Sequence, residues 1–124
     1  MSCEKPKDLK KRLVEYSFRI IRMYSSLSKS DRVAMVLGGQ VLRSGTSPGA
    51  HHREASRARS DREFISKMEG GLQELEETDY WLELLVESGI LSKEKMEDLI
   101  SETDEIISIF VTSIKTVKQR RDKS

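Results

Sequence analysis

Residues 43–64 read RSGTSPGAHHREASRARSDREF, from Arg43 to Phe64, and join two segments of helical periodicity. The stretch holds both histidines of the chain, five arginines and a proline, Pro48, near two glycines. Its polar residues follow a pattern. Gln40, Arg43, Ser47, His51 and Glu54 recur at steps of three and four, so on a helix they share one face. This phase argues for a helix that continues past Pro48 to about Ala58; the competing reading is a loop at 44–50 that separates two short helices. Pro48 removes the donor to the carbonyl of Ser44 and clashes there, so the helix is expected to kink. Gly45 and Gly49 leave room for the bend or for another backbone. Ser60-Asp61-Arg62-Glu63 is a capping box, and it opens the next helix.

The other segments show the same period. Leu9, Leu13, Tyr16, Ile20, Met23 and Leu27 predict a first helix over about 7–27. Ser28 with Asp31, or Ser30 alone, is the expected N-cap of the second helix, which begins near Asp31 and carries Val33, Val36, Leu37, Val41 and Leu42. Phe64, Ile65, Met68, Leu72, Leu75, Leu82, Leu85 and Val86 predict a third helix over about 61–88. Gly89 followed by Ile90 reads as its glycine cap. Ser92 then caps a fourth helix over about 93–120, with Met96, Leu99, Thr103, Ile106, Ile107, Phe110, Ile114 and Val117 on its apolar side. Short connections make neighbouring helices antiparallel. The expected fold is therefore all-α, an up-down-up-down antiparallel four-helix bundle with a kinked second helix. It forms one domain over residues 1–124, with flexible ends at 1–6 and 121–124.

Charged residues make up 35% of the chain and aromatics 6%, which suits helices better than a sheet. The net charge of +1 hides an asymmetry: +8 over residues 1–62, −11 over 63–114 and +4 over the last ten. Such a dipolar chain offers a surface to anions or pairs with copies of itself. The single cysteine, Cys3, allows no intramolecular disulfide, and no stretch approaches the ~18–20 apolar residues of a membrane span. A cytoplasmic protein with no membrane partner is expected.

Three kinds of chemistry are conceivable on these residues. Adjacent His51 and His52 point to different helix faces and do not make the spaced pair of a helical zinc site, so no metal and no cofactor is expected. A ribonuclease would use Arg43 with His51 or His52, but Arg43 and His51 lie eight residues apart, farther than the Arg and His of helical ribonucleases. Ser or Cys nucleophile motifs and a phosphate-cradling glycine loop are absent as well, and no enzyme is expected. The arginines carry more. Arg53, Arg57, Arg59 and Arg62 cluster at the turn between the second and third helices, and Arg120 and Arg121 form part of a second basic cluster. Both suit phosphates, bound with strong salt dependence. No aromatics interleave with them, so backbone and shape would be recognised. Gln40, Arg43, Ser47, His51, Glu54 and Glu74 are assigned to a structural polar seam. Asp79 falls on the apolar stripe of the third helix and needs a partner, for which Arg43 is the natural candidate. Tyr80 and Trp81 stand beside that stripe, at a subunit interface or at the bundle edge.

The run Gln40, Arg43, Ser47, Glu54, Ser60, Glu63-Phe64, Gly70, Leu72, Glu74 and Leu75 resembles the 23S rRNA-intervening-sequence proteins of bacteria, without gaps from about Gln40 to Thr78. The resemblance implies a four-helix bundle with a bent second helix, assembled as a homopentamer, and no enzymatic activity. A related branch, the accessory variability proteins of diversity-generating retroelements, implies partners: RNA or DNA, and a reverse transcriptase. Many members carry their proline where Gly49 stands, and Asn where His51 stands, which here implies a shifted kink and a pH-sensitive contact. The leading expectation is an oligomeric bundle binding structured RNA or an RNA–reverse transcriptase complex. The alternative is a protein scaffold for such a partner, without direct nucleic-acid binding.

Overall fold

A computed structural model describes residues 8–123. Four helices follow in order: α1 Leu9–Ser25, α2 Arg32–Ser56, α3 Asp61–Glu87 and α4 Lys93–Lys123. No strand occurs among the described residues. Each start has a side-chain cap that satisfies an otherwise orphaned backbone N–H. Asp8 accepts from the Lys10 amide, Asp31 from Ala34 at 3.0 Å, Ser60 from Glu63 at 3.1 Å and Ser92 from Lys95 at 3.1 Å. The α2 cap is therefore Asp31 rather than Ser28 or Ser30, whose hydroxyls lie 2.9 Å from each other. At the end of α3, Gly89 takes φ +81°, and the Ile90 and Leu91 amides both donate to the Leu85 carbonyl. That left-handed turn is the expected glycine cap.

α2 runs unbroken through Pro48, which is buried, and ends at Ser56 rather than Ala58. α4 does not end near residue 120 but continues to Lys123. Two reasons are visible. Val117 is buried in the last turns, and Lys118 and Arg120 reach back to Glu69 and Asp61 on α3. The expected flexibility of 1–6, and Cys3 with it, lies outside the described residues.

The helices pack in sequence, α1 on α2, α2 on α3 and α3 on α4. The central core is Leu13, Tyr16 and Ile20 of α1, Val41 of α2, Met68, Leu75, Leu82 and Leu85 of α3, and Ile106 and Phe110 of α4. Glycine lets the backbones close in at two crossings. A Cβ on Gly45 would stand 2.8 Å from the Ile20 side chain, and one on Gly71 would stand 2.7 Å from the Phe110 ring.

Two polar pairs sit inside this core. The Tyr16 hydroxyl lies 2.7 Å from Thr103 Oγ1, and Thr103 itself donates to the Leu99 carbonyl at 2.8 Å. With its one hydrogen so used, Thr103 accepts from Tyr16. The same logic makes Ser44 the donor to Thr78, at 2.8 Å, because Thr78 donates to the Glu74 carbonyl. These pairs tie α1 to α4 and α2 to α3 without leaving a buried hydroxyl unpaired. Burial also pushes the Tyr16 phenol well above its usual range, so it stays a donor. On the flank, Arg12 grips Glu102 with two hydrogen bonds, at 2.8 and 2.7 Å, and reaches Glu105 at 3.0 Å. This fork holds α1 on α4.

Candidate nucleic-acid interface

Antiparallel packing brings the start of α1, the end of α2, the start of α3 and the end of α4 to one end of the bundle. There the two arginine clusters of the sequence meet. Arg59, in the α2–α3 turn, and Arg120, in the last turns of α4, line one open cleft together with Asp61 and Phe64. Arg120 also binds Asp61 at 3.2 Å. Arg57 is the C-cap of α2 and Arg62 stands in the first turn of α3; both are exposed, as is Arg121 of α4. Arg53, Arg57, Arg59 and Arg62 make no ion pair with any described residue. Arg53 is set apart from the cleft. It lines a separate groove between α1 and α2, beside Lys10.

Lys10 is the basic residue of this end that the sequence did not single out. Its only signal was topological: the first turn of α1 must lie beside the last turn of an antiparallel α2. Lys67 and Lys118, also near this end, pair with Glu54 and Glu69 at 3.1 Å each.

The α3 N-terminus is not itself an anion site. Its amides are capped by Ser60, and Glu63 Oε1 accepts from the Arg59 amide at 2.7 Å. Asp61 and Glu63 already answer the positive end of the helix dipole. A phosphate at this end would meet guanidinium groups rather than helix amides.

The polar seam on α2 does not form one network. Arg43 binds Glu74 at 3.0 Å and Glu77 at 2.7 Å, not Asp79. Ser47 donates to the carbonyl of Arg43 in its own helix at 2.7 Å. Glu54 faces Lys67, and Gln40 is half-buried. The His51 ring lies against Gly70, where a Cβ would stand 2.9 Å from its Cε1. His52 lies instead toward Phe110, with ring centres 6.5 Å apart. The two histidines thus diverge, and Nδ1 of each is buried without a protein partner among the described residues. Burial lowers the His52 pKa, against a smaller opposing pull from Asp8, which favours the neutral ring.

Asp79 points between helices and hydrogen-bonds Asp104 of α4. Arg43 sits one turn away on the other side of α3, so helix phase prevents the expected pair. Burial first, then the hydrogen bond to Asp104 and repulsion from Asp104 and Glu83, push the Asp79 carboxyl up to about 7. The linkage has a definite sign. The folded chain holds a proton that the unfolded chain releases near 3.8, so this contribution is complete at acid pH and is lost as pH rises to 7. Asp79→Asn keeps the neutral form. It is expected to melt higher than the wild type at pH 8 and alike at pH 4. Melts at both pH values check this; an equal gap at both contradicts it.

Trp81 packs partly into the core, while Tyr80 remains 55% exposed beside it. No described helix is long and apolar enough to cross a membrane.

Fold and site together define a class: an all-α four-helix bundle with arginines gathered at one end. The chain belongs to the 23S rRNA-intervening sequence protein family, which it matches over residues 7–112. It is also similar to a crystal structure of a protein of unknown function from the S23 ribosomal protein family of Bacteroides thetaiotaomicron VPI-5482. The identity is 37% and the TM-score 0.81, over 87% of this chain and 99% of that one. No curated protein matches the chain significantly.

Proposed function

We propose that this protein is a non-enzymatic, self-associating helical bundle that binds nucleic acid, in the form of structured RNA or an RNA–reverse transcriptase complex, in the bacterial cytoplasm. The observation that carries the reading is the convergence of Arg59 and Arg120 on one cleft, from opposite halves of the chain. Arg53, Arg57 and Arg62 stand exposed on the same end without acidic partners among the described residues, and Arg121 follows Arg120. Phosphates are the natural complement of such groups. Phe64 in the cleft is half-buried and packed against the core, and the exposed aromatics, Phe18 and Tyr80, lie away from it, which favours a duplex backbone over stacked single-strand bases. The homopentamer and the link to retroelement accessory proteins are proposed on the family resemblance alone.

Filter binding of a hairpin RNA across a salt series tests the reading. Affinity is expected to fall steeply and linearly on a log–log plot. Binding that is absent at low salt, or flat against salt, contradicts it.

A second reading, a protein scaffold that holds a reverse transcriptase without touching nucleic acid, is favoured by the apolar side chains that α1 leaves exposed. Under it the protein shows no salt-dependent RNA binding of its own, and Arg57→Gln with Arg59→Gln weakens assembly, as light scattering would show.

A further inference from the structure

One face of α1 is unpartnered. Val14, Phe18 and Ile21, at steps of four and three, stay 37%, 53% and 41% exposed. They form one wall of the groove between α1 and α2, and Thr46, Gly49 and Ala50 form the other. Gly49 and Ala50 project almost nothing into it, and its volume of about 360 Å³ leaves room for a large side chain. Its polar groups are few. Lys10 and Arg53 supply two cations at the end nearer the basic cleft. Neither forms an ion pair with a described residue.

The opposite chemistry stands on α3. Tyr80 is 55% exposed, and Glu76, Glu83 and Glu87 flank it at i−4, i+3 and i+7 on the same strip, all exposed. None of these three acids is paired with a described cation. An aromatic ring ringed by free carboxylates matches an apolar groove edged by free ammonium and guanidinium groups. Both surfaces belong to the same chain and lie on different helices, so one copy cannot fill its own groove with them.

We infer that the α1–α2 groove around Phe18 receives the α3 face around Tyr80 of a second copy of this chain, in a head-to-tail contact. It rests on the self-association proposed above and names its two faces and their polarity. A contact between different faces repeats with each added copy and closes into a ring when the rotation permits. In a ring every basic end faces the same way, so isolated arginine clusters become one repeated surface. Val33 and Val36 form a separate exposed pair on α2 and take no part in the contact.

The polarity gives a decisive test. Phe18→Glu disables the groove and leaves the Tyr80 face intact; Tyr80→Glu does the reverse. Mass photometry or multi-angle light scattering of each folded variant is expected to show a monomer near 14.2 kDa. An equimolar mixture is expected to show two-chain species, because one good groove and one good face remain between the two variants. Any of three results overturns the inference: a wild type of monomer mass, a variant that keeps the wild-type mass, or a mixture that stays monomeric. Should circular dichroism show either variant unfolded, Phe18→Ser and Tyr80→Ser replace them with the same expected outcomes. RNA filter binding of the monomeric variants reads the other proposal separately. Retained, salt-dependent but weaker binding means that the arginine end works alone and that assembly adds avidity.

Discussion

Gly71→Val is expected to lower the free energy of unfolding by about 1–3 kcal/mol, the usual cost of forcing extra carbon into a packed core. Gly71 is buried where α2, α3 and α4 meet. A Cβ there would stand 2.7 Å from Phe110 Cε2 and 3.2 Å from His51 Cβ. Phe110 has no exposed surface and cannot swing away, and the His51 Cβ is fixed to the α2 backbone. The helix must move, and the contacts of Leu75 and Ile106 move with it. Gly39→Ala is the matched control. A Cβ on Gly39 meets nothing within 4 Å, so the same helical background should gain roughly 0.5–1 kcal/mol from alanine. Urea or thermal melts of both variants give the comparison. Gly71→Val melting with the wild type would mean that the three helices yield at this crossing.

Removing the guanidinium groups at the basic end should have the larger effect on function. With Arg57, Arg59 and Arg62 all changed to Gln, affinity for a hairpin RNA is expected to fall on the order of 10³-fold at low salt, at ~1.4 kcal/mol for each lost charged contact. The slope of log affinity against log salt should flatten by about 3, near 0.9 for each duplex phosphate released. Arg53 is left in place because it edges the α1–α2 groove, so assembly is untouched. Arg43→Gln serves as the control: its guanidinium is already held by Glu74 and Glu77, and RNA affinity should not change. An unchanged salt slope in the triple variant would count against phosphate binding at this end.

The period of the apolar residues was enough to place all four helices within a few residues of their ends. Ser60 and Gly89 marked the bounds of α3 because capping depends on atoms three to six residues apart. The α2 start was misread for a related reason. Ser28, Ser30 and Asp31 all suit an N-cap, and the path of the preceding turn decides which oxygen reaches an amide. The end of α4 was placed too early because its last turns are held from outside, by Glu69 and Asp61.

Helix periodicity, the capping residues and the division of charge along the chain are local properties, and the sequence alone determined them. It also named every arginine of the basic end. Only the tertiary structure decided which of these residues meet. Arg43 finds Glu74 and Glu77 while Asp79 is left to Asp104, because pairing across helices depends on axial register and rotation. A shift of one turn, about 5.4 Å, changes every such partner while leaving the apolar pattern intact. The joining of Arg59 to Arg120, and the parting of Arg53 toward the groove, have the same origin.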